Sequence, residues 1–336
     1  MDLPAPSSIL IVKPSSLGDI VHTLPAVDAI RRAYPGVKLR WIANTEWMPL
    51  LENSPILDEV LEFPRKKFRG LAAIDRIMKW AGDWKASGRS AAPEWVLDFQ
   101  GLLRSALISK GRRSGPIIGL SDAREGASWF YTLTVPVNAG AHAVDRYLEL
   151  PRALGIPVPL PSEVSFPLPI GTRPNGWPDD EQPPIVVHPW SRGQGKSLTD
   201  TQLQRLCDQL TPHRVVIVGR SEGQPAPAGD HIVDLSNQTS LPELIWLMRE
   251  AAWCISVDSG PMHIASAVNP RTLGIHTWSD PRKVGPYHPS CFVWKSGRIA
   301  HRDEFSDSEC ISEEPIDEAA VEAIAQFVAT QVREKR

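Results

Sequence analysis

The stretch Ile9-Leu-Ile-Val-Lys-Pro-Ser-Ser-Leu-Gly-Asp19 decides how the chain is read. A short, mostly β-branched apolar run ends at Lys13 and passes into the turn Pro14-Ser-Ser-Leu-Gly18. Asp19 then precedes apolar residues at Ile20, Leu24, Val27, Ile30 and Tyr34, the spacing of a helix with one buried face. Pro35-Gly36 stops that helix. Working outward, the alternation continues. Strands are expected at 37–43, 59–63, 95–99 and 116–120, and helices at 71–85, 102–110 and 142–154. The second half predicts strands at 185–188, 215–218, 232–235, 254–257 and 272–276, with helices at 199–210, 241–252 and 260–268. A closing helix over 316–335 is acidic before its start (Glu313, Glu314) and basic at its end (Arg333, Lys335, Arg336), the order its dipole favours. Strands separated by helices in both halves predict two parallel-sheet α/β domains.

Between the halves, residues 156–184 hold nine prolines and little helical periodicity. Such a composition suits an extended, semi-stiff connection. The expected division is a first domain over 1–160, a linker over 161–184, a second domain over 185–314 and the closing helix over 315–336. A length of 336 residues agrees with two domains at about 150 residues each.

Composition excludes several classes. Lysine plus arginine total 36 against 39 aspartate plus glutamate, a net charge of −3, so no basic excess drives the chain to nucleic acid. A hydrophobic content of 42% is too high for a disordered chain. The cysteines (Cys207, Cys254, Cys291, Cys310) form no C-x-x-C pair, which argues against a zinc knuckle or a disulfide framework and suits a reducing compartment. No apolar run is long enough to span a bilayer, and no basic segment precedes Ile9 as in a signal peptide. The expectation is a soluble cytoplasmic protein.

Two strand-to-helix turns carry the chemistry, one in each half, at the strand ends where open α/β sheets bind ligands. In the first, Gly18 stands alone, so no dinucleotide fingerprint is present. Asp19 admits two roles, a helix N-cap or a carboxylate at a cleft edge acting as general base with the Ser15 and Ser16 hydroxyls beside it. In the second, Asp258-Ser-Gly-Pro-Met-His263 begins a helix whose free N–H groups attract a diphosphate. Gly260 permits close approach, and His263 is either a ligand-facing or a core histidine. The loop His188-Pro-Trp-Ser-Arg-Gly-Gln-Gly-Lys196 is either a solvated loop or adds Ser191, Arg192 and Lys196 to that anion site. Glu222, in Gly219-Arg-Ser-Glu222, is positioned to accept from ribose hydroxyls. The first half carries positive charge at Arg65, Lys66, Lys67 and Arg69 and at Arg104, Lys110, Arg112 and Arg113, with Arg124 and Arg146 adding to it. Phe68, Trp80, Trp84 and Trp129 lie near in sequence, a combination that suits either a solvated face or a phosphorylated amphiphile at a membrane surface.

The segment Ile9 to Ala26 resembles the opening of the bacterial lipopolysaccharide heptosyltransferases of glycosyltransferase family 9. Asp98-Phe-Gln-Gly-Leu102 with Arg104-Ser-Ala106, and Asp258-Ser-Gly-Pro-Met-His-Ile-Ala265, resemble that family's second and donor-site motifs. Ala123-Arg-Glu125, Trp129-Phe-Tyr131 and His142-Ala-Val-Asp-Arg146 are similar to the heptosyltransferase I branch. The resemblance implies a GT-B fold, in which two Rossmann-like parallel-sheet domains face across a cleft and a C-terminal helix crosses back to the first. It implies an inverting, metal-independent transfer of heptose from ADP-L-glycero-D-manno-heptose to the Kdo inner core of lipopolysaccharide, with no cofactor. Asp19 matches the catalytic base. Ser191, Lys196, Glu222, Asp258, Ser259, Gly260 and His263 match donor-binding positions. Ser16, Gly18, Arg65, Lys66, Lys67, Arg69, Gln100, Arg124 and Arg146 form the expected acceptor set. The expected partners are an ADP-sugar, an anionic lipid A/Kdo-type glycolipid and, peripherally, the cytoplasmic face of the inner membrane. The chain departs from the family pattern at His276-Thr-Trp-Ser-Asp-Pro281, where members often carry Gly-Pro-Thr-Asp-Pro, and its Lys196 loop is one residue longer. A transferase with another nucleotide sugar or acceptor, or a non-catalytic nucleotide-binding protein, would share many of these residues.

Overall fold

The computed structural model describes residues 3–68, 73–87, 94–112, 115–177 and 182–333. The chain divides into two compact units, 1–169 and 170–336, so the boundary falls inside the proline-rich segment. The first unit contains β1 (Ser8–Val12), α1 (Leu17–Ala33), β2 (Lys38–Asn44), β3 (Glu59–Phe63), α2 (Ala73–Ser87), β4 (Glu94–Asp98), α3 (Leu103–Lys110), β5 (Ile117–Leu120), β6 (Leu133–Val135) and α4 (Ala143–Ala153). Its strands lie in the order β3-β2-β1-β4-β5-β6, all parallel. β1 is central: Ile9 pairs with Leu39 on one side and Trp95 on the other. Ile9 to Val12 are all buried, the continuous apolar run of a strand covered on both faces.

Three expectations need correction here. The helix after β1 begins at Leu17 and its N-cap is Ser16, so Asp19 is the third helical residue and not the cap. Arg112 does not join a basic patch, because it is buried against Glu94 at 2.8 Å and lies over the Trp84 ring at 4.7 Å. Phe68, Trp80 and Trp84 are not surface aromatics: with Phe63 they form one packed cluster on the apolar core of the sheet. Trp129 alone of that group stays exposed, at 88%.

The second unit contains β7 (Ile185–His188), α5 (Asp200–Gln209), β8 (Val215–Ile217), β9 (Ile232–Asp234), α6 (Leu241–Glu250), β10 (Trp253–Val257), α7 (Gly260–Val268) and β11 (Thr272–Ile275). It continues through α8 (Pro281–Val284), β12 (Phe292–Lys295), β13 (Arg298–Ala300), α9 (Asp307–Ile311) and α10 (Glu318–Arg333). The strand order is β13-β12-β11-β10-β7-β8-β9, parallel except for the β12–β13 hairpin. The sequence reading missed that hairpin, although Ser296 and Gly297, at φ 52° and 73°, mark a two-residue turn of the type that joins twisted strands.

α10, which the family resemblance implies to cross back to the first domain, is anchored in the second unit. It packs on α5 and places Val321, Ile324 and Val328 in the core, each at most 1% exposed. Burying each of these side chains contributes roughly 1.5–3 kcal/mol.

The proline-rich segment is pinned to its own unit at each end. Ser165 Oγ donates to Asp28 Oδ2 at 2.9 Å in the first unit, and Thr172 N donates to Pro242 O at 3.1 Å in the second. Gly171 has φ +88°, and a Cβ there would stand 2.5 Å from Pro242 O, so both conformation and space demand glycine.

Candidate functional site

In the first unit, the residues that follow β1, β4 and β5 surround a cavity of about 400 Å³. Its lining includes Lys13, Asp19, Asp98, Gln100, Gly101, Asp122, Arg124, Arg146 and Tyr147. The location, outside the carboxyl ends of a parallel sheet, is the one the strand order dictates. Asp19 is held by its own helix start: Oδ2 accepts from Ser16 N at 3.0 Å and from Ser16 Oγ at 2.6 Å. Its Oδ1 accepts from the Tyr147 hydroxyl at 3.5 Å. The carboxylate therefore braces the helix start from the third helical position and still borders the cavity.

Behind it lies Lys13, 2% exposed, whose Nζ donates to Tyr147 OH at 2.8 Å and to Phe99 O at 2.9 Å. Burial alone would lower the Lys13 pKa, yet Tyr147, Asp19 and Asp98 raise it above its ordinary value, so the ammonium persists. Burial raises the Tyr147 hydroxyl and keeps it neutral. Burial also raises Asp98, opposed by hydrogen bonds from Gly101 N, Ser105 Oγ, Tyr131 OH and Gln100 N. Those bonds shape the Gln100–Gly101 turn, and Gln100 Oε1 in turn accepts from Ser15 N at 3.1 Å.

Of the expected acceptor set, Gln100, Arg124 and Arg146 line the cavity together with Asp19. Arg146 pairs there with Asp122 at 2.5 Å. Ser16 and Gly18 belong to the adjoining helix start. Lys66 and Lys67 are exposed and pair with Glu46 and Glu62, at 2.7 and 3.9 Å. Arg65 stands near Arg104, whose pKa falls through burial and Arg65's charge. Arg69 and Arg113 lie outside the described residues. The sequence reading missed Lys13, Asp98 and Tyr147 as site residues. A lysine closing an apolar central strand was the available signal for the first, whereas the reach of Tyr147 from α4 depends on tertiary packing.

In the second unit, Lys196, Ser191 and the Ser259–Gly260 helix start gather around Asp258, which follows β10, whereas Glu222 does not join them. Lys196 Nζ pairs with Asp258 Oδ2, which also accepts from Ser279 Oγ at 2.6 Å. Ser279 Oγ meets His276 Nδ1 at 2.9 Å, and the Lys196 Nζ lies 4.0 Å from the centroid of the Trp278 ring. Burial would raise the Asp258 carboxyl, but His276, Lys196 and Ser279 hold it down at about 2. Ser191 Oγ donates to Asp258 O at 3.3 Å, and Gly193 N donates to Ser191 Oγ at 3.3 Å. α7 starts beside this cluster with Ser259 as N-cap and Gly260-Pro261 in its first turn, leaving N–H groups at its open end. His188 and His276 are buried, and burial lowers both pKa values to about 4, so both rings are neutral at pH 7. His263 is buried next to this group and influences His276. Gly219 lets the loop after β8 pass His188: at φ +115° its Cβ would lie 2.6 Å from the imidazole. Glu222 is exposed on that loop, its backbone N–H donating to Gln224 Oε1 at 2.7 Å. In sequence His276, Trp278 and Ser279 stand out only as a departure from the family pattern, and folding brings them into the cluster.

Residues 89–312 match the model of glycosyltransferase family 9 (heptosyltransferase). The chain belongs to glycosyltransferase family 9. The lipopolysaccharide heptosyltransferase 1 of Pseudomonas aeruginosa is 29% identical over 290 residues, covering 83% of this chain and 81% of the relative. That of Escherichia coli K12 is 25% identical over 313 residues, covering 86% and 94%. Among solved structures, the E. coli heptosyltransferase WaaC with ADP superposes with a TM-score of 0.73 at 21% identity, over 98% of this chain and 100% of that one. The WaaC structure with ADP-2-deoxy-2-fluoro heptose gives the same TM-score over 96% and 99%. This glycosyltransferase thus has the GT-B class of fold, with a Rossmann-like parallel sheet in each unit. Its family match spans both Asp98–Gly101 and the Asp258 cluster, while the Lys13–Asp19 turn precedes the matched residues.

Proposed function

We propose that this glycosyltransferase moves a heptose from ADP-L-glycero-D-manno-heptose to the Kdo inner core of lipopolysaccharide, with inversion at the anomeric carbon. The observation that carries the reading is Asp19 bordering a polar cavity with its carboxylate oriented by Ser16 and Tyr147 and backed by the buried Lys13 ammonium. An ionised, oriented carboxylate is suited to take the proton of an acceptor hydroxyl as its oxygen attacks the sugar. The guanidinium groups of Arg124 and Arg146 at the same cavity suit an acceptor bearing carboxylates. Lys66, Lys67 and Arg65, outside the cavity lining, are assigned to the more distant phosphates of the acceptor.

The donor reading rests on the Asp258 cluster. Lys196 and the open start of α7 supply positive charge for a leaving diphosphate, whose charge grows as the glycosidic bond breaks. Transfer through an oxocarbenium-like state needs that stabilisation on the leaving side and a base on the acceptor side. We assign the role to the chain's own cations and to no metal. Ser191, Ser259 and Gly260 are assigned to the phosphates, Asp258 and His263 to the sugar and phosphates, and Glu222 to the ribose. An ADP donor is supported by the E. coli relative's structures with ADP and with a fluorinated ADP-heptose.

Exposed Trp129, Leu107 and Leu103 beside Arg104 and Arg65 support a peripheral contact with an anionic membrane, where a lipid acceptor resides. The deciding experiment measures ADP release from ADP-heptose with and without Kdo-lipid A. Acceptor-dependent release is expected, and ADP binding without release would leave a nucleotide-binding protein. A panel of nucleotide diphosphates in a thermal-shift assay tests the donor base, since the true one raises the melting point.

A further inference from the structure

Lys196 meets, besides Asp258, the loop in which the chain departs from the family pattern. After β11 the chain runs through His276, Thr277, Trp278 and Ser279 before α8. Two of these side chains act on the same ion pair. Ser279 Oγ donates to the Asp258 oxygen that Lys196 also engages, and the Trp278 ring presents its face to the Lys196 ammonium at 4.0 Å. Trp278 is 47% exposed, so hydrophobic burial alone does not account for where its ring lies. An indole face attracts a cation electrostatically and does so more strongly when water is partly excluded. The Lys196 side chain is only 13% exposed, which meets that condition.

A lysine stem is flexible, and ordering it on ligand binding lowers affinity unless it is ordered beforehand. Asp258 orders it from one side but also neutralises it. Trp278 orders it from another side and leaves its charge intact, because a ring face accepts no proton and carries no net charge. In the loop that carries Lys196, Gly193 leaves room for the lysine stem, since a Cβ there would lie 3.0 Å from Lys196 Cδ.

We propose that Trp278 is a positioning residue for donor binding, its indole face holding the Lys196 ammonium where the diphosphate of a nucleotide sugar is received. The proposal rests on the assignment of Lys196 to that diphosphate. It predicts that an aromatic face is needed at this position, and that the effect passes through Lys196.

The test is a calorimetric cycle with ADP as probe on the full chain, using Trp278→Leu, Trp278→Phe, Lys196→Met and the Trp278→Leu/Lys196→Met pair. Trp278→Leu should weaken ADP binding by about 3- to 30-fold, the range of a cation–aromatic contact. Trp278→Phe should retain most of the affinity. In the Lys196→Met background Trp278→Leu should change nothing further, because the partner is gone. The nucleotide-sugar KM should rise in Trp278→Leu in step with the loss of ADP affinity. Equal losses from Trp278→Leu with and without Lys196 would overturn the proposal, as would equal losses from the Phe and Leu variants. Weakened Lys196→Met beside unaltered Trp278→Leu overturns the tryptophan role alone. Unaltered Lys196→Met overturns the lysine assignment as well.

Discussion

Asp19 shows how one side chain serves two demands. Its Oδ2 accepts from Ser16, which stabilises the start of α1, and its Oδ1 meets the Tyr147 hydroxyl at the cavity. Replacing it with alanine should cost at least ~10² in turnover, the scale of a positioned base. ADP affinity, measured by calorimetry, should stay near the wild-type value, and retained turnover would reduce Asp19 to a helix-start residue. Lys13 offers a test with a defined sign. Its ammonium favours the ionised form of Asp19, among neighbours that also include Asp98, Asp122, Arg124 and Arg146. In Lys13→Met the carboxylate loses that support and ionises only at higher pH. The acid limb of kcat/KM should therefore move upward. Tyr147→Phe keeps the charge and should lower kcat with the limb nearly in place. An unmoved limb in Lys13→Met, on a delipidated Kdo acceptor, would assign Lys13 to packing alone.

At the scale of elements, the strand ends of the second unit carry a stability signature in acid. His188 closes β7 and His276 follows β11, and burial lowers both from 6.5 to about 4. Between those values an unfolded chain binds a proton at each ring and the native chain does not, so stability present at neutral pH is lost as pH falls toward 4. Each gap corresponds to roughly 3 kcal/mol. Melting temperature should drop steeply between pH 6.5 and 4, and less steeply in His276→Asn, by calorimetric scans. Equal slopes for the two proteins would remove His276 from the acid response. The elements themselves were mostly legible, because fully buried strands such as Ile9–Val12 and Trp253–Val257 read as apolar runs and the helices as periodic ones. Some short elements escaped, although β8 and β9, also of three residues, were expected. β6 has three residues, and β12–β13 is announced only by Ser296-Gly297, too little pattern for a period to show.

At the scale of the whole molecule, sequence disclosed which residues sit at strand ends but not which of them meet. Asp258 and Lys196 belong to separate loops, and only folding brings them to one ion pair with Ser279 and Trp278 around it. The same limit misled the reading of charge and aromatics. Arg112 and Trp84 look like surface residues in sequence, yet they stack on each other in the interior. Folding leaves a smaller surface feature than composition suggested: Leu103 and Leu107 one turn apart on α3, and Trp129 on the turn that packs against it. They are 39%, 55% and 88% exposed. Arg104 and Arg65 add positive charge nearby, and Glu125 offsets part of it. Such a patch should partition its apolar side chains into the headgroup region while the arginines draw it to anionic lipid. In co-sedimentation, vesicles with about a third phosphatidylglycerol should capture the protein better than pure phosphatidylcholine. Added salt should weaken that capture by screening. Trp129→Ser with Leu107→Ser should reduce binding by at least about tenfold, since two large apolar side chains no longer leave water. Turnover on a soluble delipidated acceptor should be unaltered in that variant, because neither side chain lines the cavity. Wild-type capture by the double variant would place the membrane contact elsewhere on the molecule.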